Sequence, residues 1–512
     1  MNGATGPIRQ RGTRAALSRA GLGTLSRVGL SALLALVAAG CTMMGPDYAR
    51  PSIALPERFA EAGTGPVEAA VAAGEPVIQA DWWILYRDAA LDELVDAALT
   101  HNSDIRLAIA QLDEAEAVLR EAWAVLTPQV DLGAAGSRSR VTELGATPVP
   151  AGVPLTRNDF RATLSSAFEI DFWGRLRRGA EAVEAQLLAT RYAHDVVAIG
   201  VAATTAQAWF ALRALDAQVA VTRESLRVRS ESLDLVRARA RGGLVSDLDV
   251  YQAEGARADA EVQLNELQRQ RAAVERQLGT LAGRPGATFA EGDLLAMPVP
   301  PSPPPGLPSS LLDRRPDVRQ AEALLQAANA RIGVARAAMM PTISLTGALG
   351  GQSADLSDLL RSGARVWSLG FGLTLPIFDA GRLQARTEQA EARERQALAA
   401  YQKSLESAFR DVGDALTNTE RAAAAERALQ VRLDAARSST RLARSRYESG
   451  YSGYLELLDA LRTQNDAELA MIRNRQARLA YSVDLMKALG GGWRDPTLVP
   501  APAAAGTPAR AP

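Results

Sequence analysis

The stretch Arg315–Leu345 reads RPDVRQAEALLQAANARIGVARAAMMPTISL. A helical run from Val318 to Met340 stops at Pro341. An alternating run follows, with Thr342, Ser344 and Thr346 set against Ile343 and Leu345. A second version lies 213 residues earlier, at Asn102–Leu132, NSDIRLAIAQLDEAEAVLREAWAVLTPQVDL, and aligns without a gap. Asp104/Asp317, Arg106/Arg319, Leu112/Leu325, Pro128/Pro341 and Leu132/Leu345 coincide. The likeness continues at an offset of 207. Gly174-Arg175-Leu176 matches Gly381-Arg382-Leu383, Gly243 matches Gly450, and Leu248 matches Leu455. Asp259-Ala260-Glu261 then matches Asp466-Ala467-Glu468. The chain is one unit of about 200 residues used twice. The offset changes between Pro128 and Gly174, so the first copy has the longer loop there.

Each copy holds the same series of elements. A helical run, Asp88–Leu126 in the first copy, ends at proline. A strand pair follows. Phe160, Leu164, Phe168, Ile170 and Phe172 alternate with Arg161, Thr163, Ser165, Glu169 and Asp171, and Val130, Leu132 and Ala134 begin the partner. In the second copy Trp367, Leu369, Phe371, Leu373, Leu375 and Ile377 alternate with Ser368, Gly370, Gly372 and Thr374. One apolar face and one polar face is the pattern of half a soluble sandwich or of a membrane barrel. After each pair comes a very long helix. Arg175–Arg241 is 67 residues, roughly 100 Å if continuous. Gly242-Gly243 breaks it, and Ser246–Leu281 returns. The second copy runs Arg382–Ser449, breaks at Gly450 and Gly453, and returns over Leu455–Leu489. Helices of this length without their own globular core read as coiled-coil-like hairpins.

The chain has 512 residues, a formal charge of −1, one cysteine and two histidines. Nothing in that balance points to nucleic acid. Disulfides within the chain are excluded, and a Cys/His metal site has no ligands to draw on. His101 and His194 stand apart, and no nucleophile–His–acid set exists. Gly242-Gly243 and Gly490-Gly491-Gly492 lack the flanking residues of a phosphate loop. The expectation is a protein that is not an enzyme and needs no metal or cofactor.

The N-terminus carries Arg9, Arg11, Arg14, Arg19 and Arg27, then an apolar run Leu30–Ala39, then Ala38-Ala39-Gly40-Cys41. This is a secretory signal, with an apolar core too short for a comfortable span. The cysteine after small residues resembles a bacterial lipobox, with Ala38 where a leucine is usual. On that resemblance Cys41 is the mature N-terminus and carries lipid. Thr42 fits sorting to the outer membrane. A lipid anchor needs a second attachment for permanence, which the strands would provide. Four strands cannot close a barrel, and an open edge cannot sit in lipid. Two copies would give eight strands and a filled interior, three would give twelve and a passage.

Five segments carry a more specific resemblance. They are Gly45-Pro46-Asp47-Tyr48, Phe168-Glu169-Ile170-Asp171-Phe172-Trp173-Gly174-Arg175, Arg315-Pro316-Asp317-Val318-Arg319, Ala327-Ala328-Asn329-Ala330 and Pro376-Ile377-Phe378-Asp379-Ala380-Gly381-Arg382. With them the chain resembles the lipoproteins of tripartite efflux systems in the TolC-like superfamily, NodT/OprM-type branch. The resemblance implies a mainly α fold with a small membrane β part. A homotrimer would form a twelve-stranded β-barrel above an α-barrel. The expected divisions are signal peptide 1–40, lipid-anchored arm 41–87, first repeat 88–296, Pro-rich linker 297–308, second repeat 309–490 and disordered tail 491–512. Expected strands are 128–140, 159–172, 341–350 and 366–378. The implied function is a passive exit duct for small molecules across periplasm and outer membrane. A periplasmic adaptor and an inner-membrane pump are the implied partners, beside outer-membrane lipid.

The resemblance also places the gate. Glu456 and Asp459 are three apart and share one helical face. Acidic residues of this turn line the constriction in the resembled family, and Tyr447 matches a gate-linking tyrosine. Three copies would stack two carboxylate rings, which favour cations. Carboxylates in a first helical turn are also favoured by the helix dipole alone. The first copy has Asp249 and Gln252 at these positions, and Ser452 stands where some relatives carry arginine. The turns at Gly243–Ser246 and Gly450–Gly453 are the implied adaptor-docking sites. Two other readings stay open: the duct of a type I protein-secretion system, and a lipid-anchored coiled-coil scaffold without a pore. The lipobox-like cysteine favours efflux over the first, and the four amphipathic strands argue against the second.

Overall fold

The computed structural model describes residues 43–53, 56, 81–145, 149–150, 152–300, 312 and 314–491. The signal region, Cys41, linker residues 301–308 and the tail from 492 onward lie outside the described residues. The helices are α1 (Ala89–His101), α2 (Ser103–Ala124), α3 (Arg175–Arg241), α4 (Asp247–Leu281), α5 (Pro316–Ala337), α6 (Arg382–Glu448) and α7 (Tyr454–Ala488). The strands are β1 (Gln129–Arg140), β2 (Thr156–Ile170), β3 (Thr342–Ser353) and β4 (Arg365–Thr374). The duplication is visible in the lengths. α2 and α5 have 22 residues each, α3 and α6 have 67, and α4 and α7 have 35.

The helical run expected over Asp88–Leu126 is two helices. Asn102 stands between them with ψ 139°. Its side-chain oxygen accepts from the Asp104 N–H at 2.7 Å and its amide donates to Leu281 O at 3.1 Å. An asparagine that bonds its own backbone neighbours competes with the helix ladder. Strand β2 ends at Ile170, short of Phe172, because the chain turns there. The Trp173 indole donates to Pro341 O at 2.9 Å, and Asp171 accepts from the N–H groups of Leu176 and Arg177 at the start of α3.

Two compact units divide the chain. One holds the described residues up to Asp47, with Ala122–Ala180 and Ala330–Ala390. Its centre is an antiparallel sheet in the order β1-β2-β3-β4. The register places Leu132, Leu164, Leu349 and Trp367 in one row across all four strands. Phe168, Leu345 and Phe371 form a parallel row on the same face. These side chains do not enter a core: Leu132 is 77% exposed, Trp367 78% and Leu369 80%. The opposite face carries Asp131, Ser165 and Ser368 in one row, and Arg161 donating to Gln352 at 2.9 Å. β1 and β4 are edges with no further partner among the described residues. The segment after Cys41 is fastened to this unit. The Met44 N–H donates to Trp173 O at 3.0 Å, and Arg178 pairs with Asp47 at 2.6 Å. Gly45 has φ +95°, and a Cβ there would lie 2.5 Å from Gly333 Cα, so only glycine allows this crossing.

The second unit holds Tyr48–Glu121, Glu181–Asn329 and residues from Glu391 onward. Its largest core packs Trp82, Tyr86, Leu91, Phe210, Leu278 and Leu479 together. One stretch of α3 has the length and apolarity to cross a membrane, yet 56% of it is buried inside the protein. Asp88 caps α1 and also accepts from the Trp209 indole at 2.8 Å.

A buried charge network fixes the segment after α4. Asp216 accepts from Arg213 at 2.8 Å, Arg271 at 2.6 Å and the Gly292 N–H at 3.2 Å. Arg213 also lies 4.0 Å from the Trp209 ring centroid. Asp216→Ala leaves both guanidiniums in place without their shared carboxylate. Breaking a buried pair in this way costs about 3–5 kcal/mol, and the urea midpoint of the purified protein is expected to fall accordingly.

Candidate functional site at the paired helix turns

Both long helices stop at glycine for one reason. At the end of α3 the Leu244 N–H reaches back to Arg239 O at 2.9 Å, and Gly243 has φ +73°. At the end of α6 the Tyr451 N–H reaches Arg446 O at 2.8 Å, and Gly450 has φ +79°. Closing the last turn this way requires a left-handed residue, which glycine adopts without Cβ strain. Each turn leaves apolar side chains in the open. Leu244 and Tyr451 are exposed at equivalent positions, as are Leu248 and Leu455. Gly243, Ser246, Gly450 and Gly453 are exposed beside them.

The helices that return differ at one pair of residues. Ser246 stands before α4, and its N–H donates to Asp249 at 3.4 Å, the return arm of a capping box. Gly453 is the equivalent residue before α7 and has no hydroxyl. The reciprocal cap of α4 cannot form there, because Gly453 has no side chain to accept from the backbone N–H of Glu456, the equivalent of Asp249. Glu456 pairs instead with Arg446, Nε to Oε1 at 3.0 Å. Arg239, the counterpart of Arg446, is then free to reach across to the other hairpin. It donates to Tyr447 O at 3.0 Å and Glu448 O at 3.1 Å, and its guanidinium lies 4.5 Å from the Tyr447 ring centroid.

Beneath the turns Leu233, Val236, Ala253, Ala443, Tyr447, Tyr454 and Leu457 pack into one cluster. The Tyr447 and Tyr454 rings meet edge-on at 5.8 Å. Burial pushes the Tyr454 hydroxyl up to about 12. Burial also raises Tyr447, against the opposing charge of Arg239. The Tyr454 hydroxyl, Gln252 Oε1 and Ser452 Oγ are sealed from solvent without a hydrogen-bond partner among the described residues.

The candidate residues thus separate. Tyr447 is buried and held under Arg239, and Glu456 is neutralised by Arg446. Asp459 is exposed and makes no ion pair among the described residues. Arg239 and Arg446 were not singled out from the sequence. The signal was present, because they match at the offset of 207. No group of three or more potential metal ligands occurs among the described residues.

The protein-family model described as outer membrane efflux protein matches residues 94–284 and 307–491. The chain is 35% identical to Outer membrane protein OprJ of Pseudomonas aeruginosa over 481 residues, covering 91% of this chain and 96% of that protein. It is 33% identical to Cation efflux system protein CusC of Escherichia coli O6:H1, covering 90% of this chain and 98% of that one. The open-state crystal structure of the MtrE outer membrane channel of Neisseria gonorrhoeae superposes with a TM-score of 0.76 at 30% identity, covering 88% of this chain and 98% of that one.

Proposed function

The chain belongs to the outer membrane efflux protein family, and from that premise we propose how it works as a conduit. It is an outer membrane efflux channel of a Gram-negative cell, and its helices extend into the periplasm. Three copies close the channel. The observation that carries this is the four-stranded sheet with an exposed apolar face and two unpaired edges. In lipid both edges need partners, and β4 of one copy pairs with β1 of the next. Twelve strands leave a passage that eight would fill. Lipid on Cys41 adds a second attachment. Substrate moves down this lumen passively, and an inner-membrane pump supplies the energy through a periplasmic adaptor. The adaptor docks on the turns at Gly243, Ser246, Gly450 and Gly453, where Leu244, Leu248, Tyr451 and Leu455 offer apolar contact.

The gate is at the same turns. With Glu456 paired to Arg446, the ring of Asp459 carboxylates carries the uncompensated charge. Rings of this kind select cations. Single-channel recording of the detergent-purified protein in planar bilayers tests the reading. Small, cation-selective steps are expected. Removing one facing charge is worth about 1 kcal/mol in water. Asp459→Ala should therefore cut cation preference about fivefold, Glu456→Ala less, and the double variant no less than Asp459→Ala. Absence of conductance from intact oligomers would overturn the channel reading. Unchanged selectivity in the double variant would move the gate elsewhere.

A further inference from the structure

We propose that a cleft walled by α3, α6 and α7 binds an oxyanion of the phosphate class. The cleft has a volume of about 380 Å³ and lies between Val221–Arg229 of α3, Arg437–Arg444 of α6 and Leu461–Glu468 of α7. Five arginines and two glutamates line it. Both glutamates are already engaged. Glu224 is paired with Arg227, and Glu468 with Arg437 at 3.1 Å. Arg229, Arg441 and Arg444 have no carboxylate within ion-pair distance among the described residues. Arg441 donates to the Ser438 hydroxyl at 2.8 Å, and Arg229 donates to Ala256 O at 2.7 Å. Neither contact supplies a negative charge.

Two deeply buried side chains in the wall each hold one atom without a hydrogen-bond partner among the described residues. Arg229 is 8% exposed and Asn465 is 7% exposed. Arg229 Nε and Asn465 Oδ1 are sealed from solvent and make no hydrogen bond. A buried donor without an acceptor is costly, and Arg229 carries a full charge as well. Burial pulls its pKa down, against the fields of Asp259 and Asp466. Three guanidiniums without a paired carboxylate therefore line the cleft beside two carboxylates already held by Arg227 and Arg437. Guanidinium forks match tetrahedral oxyanions in both charge and geometry. A doubly charged phosphate has enough acceptor sites for all of them. The volume holds one such group with several bridging waters, at about 30 Å³ per water. That size disfavours a protein segment as occupant. The bound ion would also join a helix of the first copy to two helices of the second.

Calorimetric titration of the detergent-purified full chain with inorganic phosphate, at constant ionic strength against chloride, tests the site. Saturable binding is expected. Arg441→Ala/Arg444→Ala is expected to weaken it about tenfold or more, because hydrogen bonds from ionised donors to an anion are the strong ones. Both side chains are exposed, so the unliganded thermal midpoint should hold. Glycerol phosphate competing as well as the inorganic ion assigns the cleft to a phosphate ester, and its failure to compete assigns it to the free ion. No saturation, or equal binding by the double variant, overturns the proposal. So does binding of a glutamate-rich peptide where phosphate fails.

Discussion

Leu369→Arg is expected to remove the protein from the outer-membrane fraction. Leu369 sits midway along β4 and is 80% exposed on the apolar face. Its cross-strand neighbour is Gly347, so no side chain of β3 shields it in that row. A cation at this depth on a lipid-facing strand costs about 2–4 kcal/mol, and an assembled trimer would bear that cost in every copy. Ser368→Arg is the matched control. Ser368 lies one residue away and on the opposite, polar face. Moving the substitution by one position changes the face because the strand period is two. Membrane fractionation and semi-native electrophoresis should show Leu369→Arg depleted at least about tenfold, since 1.4 kcal/mol is tenfold, and Ser368→Arg near wild type. Equal insertion of both variants would mean that the apolar face does not meet lipid.

Arg239→Ala is expected to leave the channel open far more of the time. Arg239 belongs to the first hairpin, yet both of its hydrogen bonds end on carbonyls of α6 in the second. Those carbonyls lie in the last turn, where a helix carries a partial negative charge. The side chain is half-buried, so each bond is worth less than a fully desolvated one. A combined worth of about 2 kcal/mol for both bonds and the Tyr447 contact is reasonable. That corresponds to about thirtyfold in the closed-to-open ratio. Arg239→Lys keeps the charge but cannot bond both carbonyls in one plane, and should fall between. Open probability in planar bilayers is the measurement. If Arg239→Ala gates like wild type, the two turns separate by breaking other contacts.

Much of this was legible because the chain repeats itself. Pro128 and Pro341 end corresponding helical segments, and Gly243 and Gly450 close corresponding turns. Alternation along Phe160–Ile170 and Trp367–Leu373 marked both faces of the sheet before any register was known. The turns were less legible. Whether Arg446 meets Glu456, and where Arg239 reaches, depends on how two hairpins approach in space. Period and composition carry no such distance. The Asn102 break was hidden because apolar spacing continues across it. The arginine cleft joins α3 to a hairpin some two hundred residues later, and each of its helices reads as an ordinary solvated face.

The matched helix lengths have an evolutionary consequence. A chain holding a single copy would bring two strands and one helical hairpin, and six such chains would supply what three of these do. In a ring of identical single units every turn must carry the same residues. Fusing two units releases alternate turns from that identity. Ser246 and Asp249 could then become a cap in one copy, while Gly453 and Glu456 were released for another use in the other. The ancestral gain of the duplication would be the division of labour between neighbouring turns, with the barrel itself left unchanged.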